Sequence, residues 1–537
     1  METGEYASKT LDHLGLVSGM CRDIGVAEII DRCCPSESED QPVSTGKAVE
    51  AMILNGLGFV NKRLYLVSRF FEDKPLDRLL GPDITAEQLN DDRLGRALDK
   101  LYDTGLTPLF THLSSRTFDA LDYHPDRGHL DSTSMSVYGR YNSDEAETSE
   151  LHITPGYSKD HRPDLPQATL QLICEHLSGI PMHMEVLNGN SSDSESFRHT
   201  IQEFGGQLYS QSGLRTIVAD SKLYSEATLQ CLANSRLNWI SRVPGTLHAV
   251  KELLSEIELS KLEALDSEGY HSACYTIDYG GVDQHWVVYH SESAHQRERK
   301  TLERRLTKES DQAAISLRKL LRQVFHCTED AQAAAGQWEQ QWKWHRLAKV
   351  KIIKDKKYSN PGRPRAKDQA RIEYRIQAEL FLDQDQWDRL IFERSLFVLA
   401  TNQEIDDLAQ QEQLLNDYKA QYSVERGFRF IKDPNIVASS FFVQKPSRVA
   451  ALMFIMTCCL LIYSALQFRI RQALEQNDQN VPDQKGKPTQ KPTTRWVFQL
   501  FVGIHELYLP NQQRMILNLK AEHRNIIELL DYWDFYS

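Results

Sequence analysis

The chain has 537 residues and no internal repeat, so it exceeds what one hydrophobic core holds and several domains are expected. Lysine and arginine number 62 against 75 aspartates and glutamates, a formal net charge of -13, which excludes a protein that coats nucleic acid by bulk attraction. Nine scattered cysteines without CxxC or Cys/His spacing exclude a structural zinc set and fit a reduced compartment.

The start, METGEYASKTLDHLG, lacks a basic lead into an apolar run, so no secretory leader is expected. Residues 1–119 read as a helical domain. Leu11 to Ile30, Thr45 to Phe59 and Ala86 to Tyr102 carry apolar residues at three- and four-residue spacing, separated by turn signals at Pro75, Gly81-Pro82 and Gly105. Such a module could read DNA ends or serve dimerisation, and no recognition helix stands out to decide between them.

From about residue 125 the pattern turns to strands. Gly128 to Arg140, Thr169 to His176 and Ile180 to Leu187 read as three, the last two joined across Ser178-Gly179. Asp193 can cap a helix to about Leu208. A short strand, Thr216 to Ala219, ends at Asp220, and a helix from about Ser225 to Ala233 and a strand from Leu237 to Val243 follow. Three strands, helix, strand, helix, strand is the ribonuclease-H-like succession. The expected fold is therefore α/β, a mixed five-strand sheet flanked by helices. Its first and fourth strands are neighbours, which would bring Asp131 and Asp220 face to face. The first part of this core spans 120–243 and the second, with a catalytic helix, 401–472.

Residues 244–400 read as a large insertion before that helix. It holds a hairpin, Ser272 to Tyr279 with Gln284 to His290, and then charged helices, with basic runs at Arg297 to Lys308 and Lys343 to Arg375. Trp342, Trp344 and Tyr358 among the positive charges point to a surface combining phosphate contacts with base stacking, and Pro361 to Pro364 to a loop along a groove. After the strand Leu396 to Ala400, Thr401-Asn402 offer an N-cap for a helical stretch toward Pro434. On one continuous helix Tyr418, Gln421, Glu425 and Lys432 share a face, at about 100° per residue, while Val424, Phe428 and Ile431 form an apolar neighbour sector. Val449 to Leu466 is apolar almost all round, long enough for a membrane span but, being solitary between charged regions, read as a buried core helix. Residues 473–537 read as a polar linker and a C-terminal helical tail docked by Arg495 to Phe501.

Asp131 inside a strand, Asp220 closing another and Glu425 on a distant helix form a carboxylate trio suited to hard-oxygen metal ligation. The spacing Tyr418-x2-Gln421-x3-Glu425-x6-Lys432, with HLDSTSMSVYG around Asp131, IVADSKLYS around Asp220 and YSVERGFRFIKDP around Glu425, resembles the DDE transposases of the insertion-sequence family numbered four and its offshoot numbered sixteen thirty-four. The resemblance implies two Mg²⁺ ions, with Mn²⁺ as substitute, Asp131 bridging both, Asp220 on one and Glu425 on the other. It also implies endonucleolytic cleavage at element ends, strand transfer into double-stranded target DNA, a homodimer in the synaptic complex, no membrane partner and a prokaryotic cytoplasmic, nucleoid-associated setting. Tyr418 and Lys432 would position DNA, with Lys222 a further candidate contact. Gln421 departs from the arginine of the signature, and Arg426 or Arg429 would then help supply the charge its amide lacks. The rival expectations are a metal-dependent nuclease without strand transfer and a DNA-binding descendant that no longer cuts. Among lesser candidates, His129 reads as a hydrogen-bonded core histidine, Asn188 and Asn190 as turn formers, and Lys159-Asp160-His161-Arg162 equally as a surface turn or a segment near the scissile strand.

Overall fold

The computed structural model describes residues 7–35, 43–58, 66–137, 151–159, 162–358, 370–433, 445–509 and 513–537. A short strand, β1 (Ala7–Thr10), precedes helices at Leu14–Ile24, Val26–Cys33, Thr45–Leu57, Asp91–Thr104 and Leu106–Ala120. Their starts follow from local chemistry: the Ser44 and Asn90 side chains accept the Lys47 and Arg93 backbone N–H groups, which would otherwise lack partners at the helix ends. Leu94, Leu98 and Leu101 then bury one stripe of the Asp91–Thr104 helix.

The next strands are β2 (Arg127–Ser136), β3 (Gln167–Glu175), β4 (Pro181–Leu187), β5 (Thr216–Ala219), β6 (Asn238–Arg242), β7 (Glu263–Ala264), β8 (Tyr270–Tyr279) and β9 (Val282–Ser291). Two long strands, β10 (His345–Tyr358) and β11 (Ala370–Leu382), form a ribbon of their own, and β12 (Leu396–Thr401) returns to the main sheet. The order across that sheet is β4-β3-β2-β5-β6-β12-β9-β8-β7. β2 lies antiparallel to β3 and parallel to β5, and β5 lies parallel to β6. Nine strands stand where five were expected. The cause is β12, which pairs antiparallel with both β6 and β9 and so joins the β8–β9 hairpin to the same sheet.

The basic stretch after this hairpin is not all helical. Lys343 to Arg375 runs into β10 and β11, where Ile376 and Ala378 are buried and Gln377 and Glu379 exposed, an alternation that suits a pleated ribbon lying on the helices Glu292–Arg322 and Thr328–Gln340. The tryptophans are not free for base stacking either. Trp344 is buried edge-on against Trp387, with ring centroids 5.1 Å apart, and Trp342 packs on Trp338. The Pro361 to Pro364 loop lies outside the described residues.

The apolar segment forms the helix Pro446–Gln476, long and apolar enough to cross a membrane but here enclosed by protein. The helices Leu14–Ile24, Thr45–Leu57, Asp91–Thr104 and Leu106–Ala120 pack around it, and β4 and the helix Tyr422–Ile431 also contact it. One hydrophobic core therefore runs from the N-terminal helices into the sheet. Arg448, at its start, makes a two-pronged ion pair with Asp99, both contacts at 2.7 Å.

The C-terminal region is only partly helical. The helix Thr494–Leu500 leads to two strands, His505–Tyr508 and Arg514–Leu517, and the first of these pairs with β1 to make a three-strand sheet. The last helix, Ala521–Leu530, carries the chain to Tyr532 and Tyr536, both buried against the Leu14–Ile24 helix. Gly15 and Gly19 make this possible: a Cβ on Gly15 would stand 2.6 Å from the Tyr536 ring, and one on Gly19 2.7 Å from Tyr532. In a helix interior Gly→Ala ordinarily stabilises by about 0.5–1 kcal/mol. At Gly19 the sign should reverse, so Gly19→Ala is expected to lower the urea midpoint, and a raised midpoint would show that the Tyr532 ring yields freely.

Candidate functional site

The parallel register of β2 and β5 pairs Leu130 with Ala219, so the next residues, Asp131 and Asp220, leave adjacent strands side by side. Both are partly shielded from water. Burial pushes the Asp131 carboxyl up to about 6, with Asp220 and Asp193 adding to the rise against the opposing Lys159 ammonium and the Ser132 N–H. Asp220 is raised too, by burial first, although the Lys222 backbone N–H donates to it at 2.9 Å. Two carboxylates held close in a low-dielectric cleft resist joint ionisation, so they invite a cation.

A cation from the chain itself lies there. The Lys159 ammonium stands 3.6 Å from Asp131 Oδ1 and 3.6 Å from Asp193 Oδ2, and donates to the Ser132 carbonyl at 2.5 Å. Asp193 was expected as a helix cap. Instead Ser192 holds the cap position of the helix Asp193–Ser210, and Asp193, its first residue, accepts the Ser132 hydroxyl at 2.5 Å. Sequence reasoning missed this third carboxylate because a leading aspartate at a helix start has an ordinary reason to be there, the positive end of the helix dipole. Ser132, Lys159, Asp193 and Lys222 line a cavity of about 170 Å³. Of the other residues in that loop, Arg162 pairs with Asp164 at the surface, and Asp160 and His161 lie outside the described residues.

Glu425 comes from a helix that is shorter than expected. The stretch after Thr401 breaks into Leu408–Lys419, capped by Asp407, and Tyr422–Ile431. Asn402 does not cap: its side chain accepts the Trp239 N–H at 2.9 Å instead, fastening the chain to β6. At the break Gln421 N–H bonds to Tyr418 and Ser423 N–H to Ala420, three-residue steps that tighten the turn. Tyr418 therefore lies on the preceding helix, whereas Gln421, helical in conformation at the N-cap, accepts the Glu425 backbone N–H at 3.5 Å and sits one turn before Glu425. Val424, Phe428 and Ile431 are buried as expected, the helix lies against β2 and β3, and Glu425 is exposed. Gly427 lets it sit close, since a Cβ there would be 3.0 Å from Leu460.

Tyr418 links the two halves. Its phenol is pushed up by burial first, with Arg242 opposing the rise and the Asp220 and Glu425 carboxylates adding to it. Next to it the buried Asp417 accepts from Arg127 at 2.9 Å and Gln413 at 2.6 Å, tying the end of the Leu408–Lys419 helix to the start of β2. His129 bonds to His176 at 3.0 Å and is held near 3 by burial, a core role. Asn188 accepts the His152 N–H and shapes its turn. Arg426 lies over the Tyr422 ring, and Arg429 is exposed one turn beyond Glu425.

The donor set of Asp131, Asp220 and Asp193 is all hard oxygen and already faces an ammonium, so its chemistry fits a hard divalent cation. Among the described residues, however, no three His, Cys, Asp or Glu side chains lie close enough together to coordinate one ion, and Glu425 stands apart from the two strand aspartates.

Comparison with known proteins places the site in context. Residues 123–462 match the family described as transposase DDE domain, and residues 6–115 a domain of unknown function. None of the curated proteins matches the chain. A piggyBac transposase synaptic complex with hairpin DNA is similar at 9% identity and a TM-score of 0.39, over 99% of this chain and 88% of that one.

The raised Asp131 carboxyl makes stability depend on pH. Its cost is absent below the unfolded value near 4, where both states are protonated, and is fully present above about 6. Without divalent cations, Asp131→Asn should gain on the order of 2–3 kcal/mol relative to the parent between pH 4 and pH 8 in urea titrations, as follows from about 1.4 kcal/mol per pH unit. A difference that stays flat with pH would refute the buried-carboxylate account.

Proposed function

The chain belongs to the transposase DDE domain family, and from that premise we propose that it cleaves the ends of its own insertion element and joins them to target DNA. The observation that carries this reading is the parallel pairing of β2 with β5, which sets Asp131 beside Asp220. We further propose that β2 to β6 form a ribonuclease-H-like core of five strands, supported by their order and by the two parallel pairings. In this reading residues 1–119 read DNA, 120–243 and 401–472 make the core, 244–400 the insertion and 473–537 the C-terminal part. The likeness to the insertion-sequence family numbered four, and its sixteen-thirty-four offshoot, belongs to the same proposal.

Asp131, Asp220 and Glu425 would hold two Mg²⁺ ions, or Mn²⁺ in their place, supplying charge compensation for the phosphorane-like transition state and a more acidic water. The chain's own groups do the rest. Burial between β3 and β5 keeps the Asp131 oxygens poorly hydrated and so strongly attracted to cations. Lys159 offsets the repulsion among the aspartates. Tyr418, Gln421, Lys432, Arg426, Arg429 and Lys222 would position the phosphate backbone, Gln421 by hydrogen bonding without charge. Glu425 would move toward the strand aspartates as DNA fills the space beside them. Two copies would act as a homodimer on two element ends, in a prokaryotic cytoplasm at the nucleoid.

With Mg²⁺, labelled terminal-repeat DNA and a plasmid, the parent chain is expected to give joined products; cut ends without joining would assign a nuclease instead. Asp131→Ala, Asp220→Ala and Glu425→Ala should each lower cleavage by about a hundredfold or more while DNA-end binding survives. A Glu425→Ala variant that cuts at the parent's rate would remove that residue from the site.

A further inference from the structure

A second cavity, of about 300 Å³, opens beside the Glu425 helix. Its walls come from four places: the helix Tyr422–Ile431, the long helix Pro446–Gln476, the segment around the helix Thr494–Leu500 and the Ser178-Gly179 turn between β3 and β4. Arg426, Arg429 and Arg495 line it, with Asp433 as the acidic member. Arg495 is fixed in place, its guanidinium paired with Asp433 at 3.1 Å and its backbone N–H donated to the Tyr463 hydroxyl at 3.0 Å. Arg471 stands close behind, hydrogen-bonded to the Pro492 carbonyl at 2.8 Å and held below the usual arginine range, by burial first and by Arg426 second.

Three guanidinium groups converging over an apolar floor of Leu460 and Phe430 leave more positive charge than one aspartate can offset, and a low-dielectric floor strengthens their pull on an anion. Ser423 gives an independent sign. It lines the same cavity, is 3% exposed, and its hydroxyl has no hydrogen-bond partner among the described residues. A buried hydroxyl without a partner is destabilising unless something arrives to meet it.

We propose that this cavity is a phosphate-binding pocket that seats one backbone phosphate of the DNA strand running past Glu425. Arg426, Arg429 and Arg495 supply the charge and Ser423 donates its hydroxyl. The inference rests on the DNA-cleaving reading above and deepens it. Arg429 lies one turn from Glu425, roughly 5 Å along the helix axis, so a phosphate held here fixes the strand close to that carboxylate. The charge that Gln421 does not carry is thus supplied by Arg426 and Arg429 of the same helix together with Arg495. Arg495 lies outside the residues 123–462 that match the transposase family, so the pocket needs the C-terminal part of this chain for completion.

The test measures binding of the full chain to a labelled duplex carrying its element end, by fluorescence anisotropy over a series of salt concentrations. The double variant Arg429→Ala/Arg495→Ala should bind about tenfold or more weakly, and its log affinity against log salt should be shallower by about 1, the signature of one lost phosphate contact. The matched Arg429→Lys/Arg495→Lys variant should keep most of the salt slope, which a merely misfolded protein would not. Ser423→Ala should weaken binding severalfold with no change in slope. Inorganic phosphate at constant ionic strength should compete with DNA on the parent and not on the alanine variant.

Unchanged DNA affinity and slope in the alanine variant would overturn the proposal, even if inorganic phosphate alone still bound, since the pocket would then serve a free phosphate. Failure of the wider reading looks different. In that case the arginine variants lose DNA affinity while the parent yields neither cut nor joined products.

Discussion

Everything at the site depends on four residue pairs, the parallel ladder between Arg127–Leu130 and Thr216–Ala219. Antiparallel neighbours can be joined by a tight turn, but parallel ones require a crossover, and here the crossover is long enough to contain a hairpin and the Asp193–Ser210 helix. That excursion sends Asp193 back to the same rim. The ladder thus gathers three carboxylates that the chain keeps far apart, and their mutual repulsion is tolerable because Lys159 lies among them.

The long apolar helix has a complementary role. It touches the N-terminal helices on one flank and the Glu425 helix and β4 on the other, so the two ends of the proposed reaction path share one packed core. Protein interiors transmit displacement because they are close-packed. A shift of the Glu425 helix toward the strand aspartates cannot happen without repacking against Leu460 and its neighbours. The Arg127–Asp417 ion pair limits the same motion from the opposite side, by anchoring the preceding helix to β2.

Much of this was legible in the sequence, for identifiable reasons. Strands β2 to β6 announced themselves through β-branched runs and turn residues, and the adjacency of Asp131 and Asp220 followed from their order. What the sequence concealed were matters of three-dimensional competition. Asn402 has the side chain of a helix cap, yet the Trp239 N–H of β6 claims it first. Trp344 among lysines resembles a stacking platform until Trp387 covers it. The turn at Ala420–Gln421 contains neither proline nor glycine, so nothing local marked it. The β8–β9 hairpin was visible, but its attachment to the main sheet depends on β12, more than a hundred residues later, and no periodicity carries that information. Asp193 was read by its commonest role.

The glycines opposite Tyr532 and Tyr536 bear on how the molecule is made. A ribosome delivers the Leu14–Ile24 helix long before the two tyrosines, and β1 likewise waits for its partner His505–Tyr508. Until those segments emerge, the groove along that helix stays open to water. Closure of the amino-terminal bundle is therefore a late, long-range event in folding, and a nascent copy without the tyrosines lacks that seal.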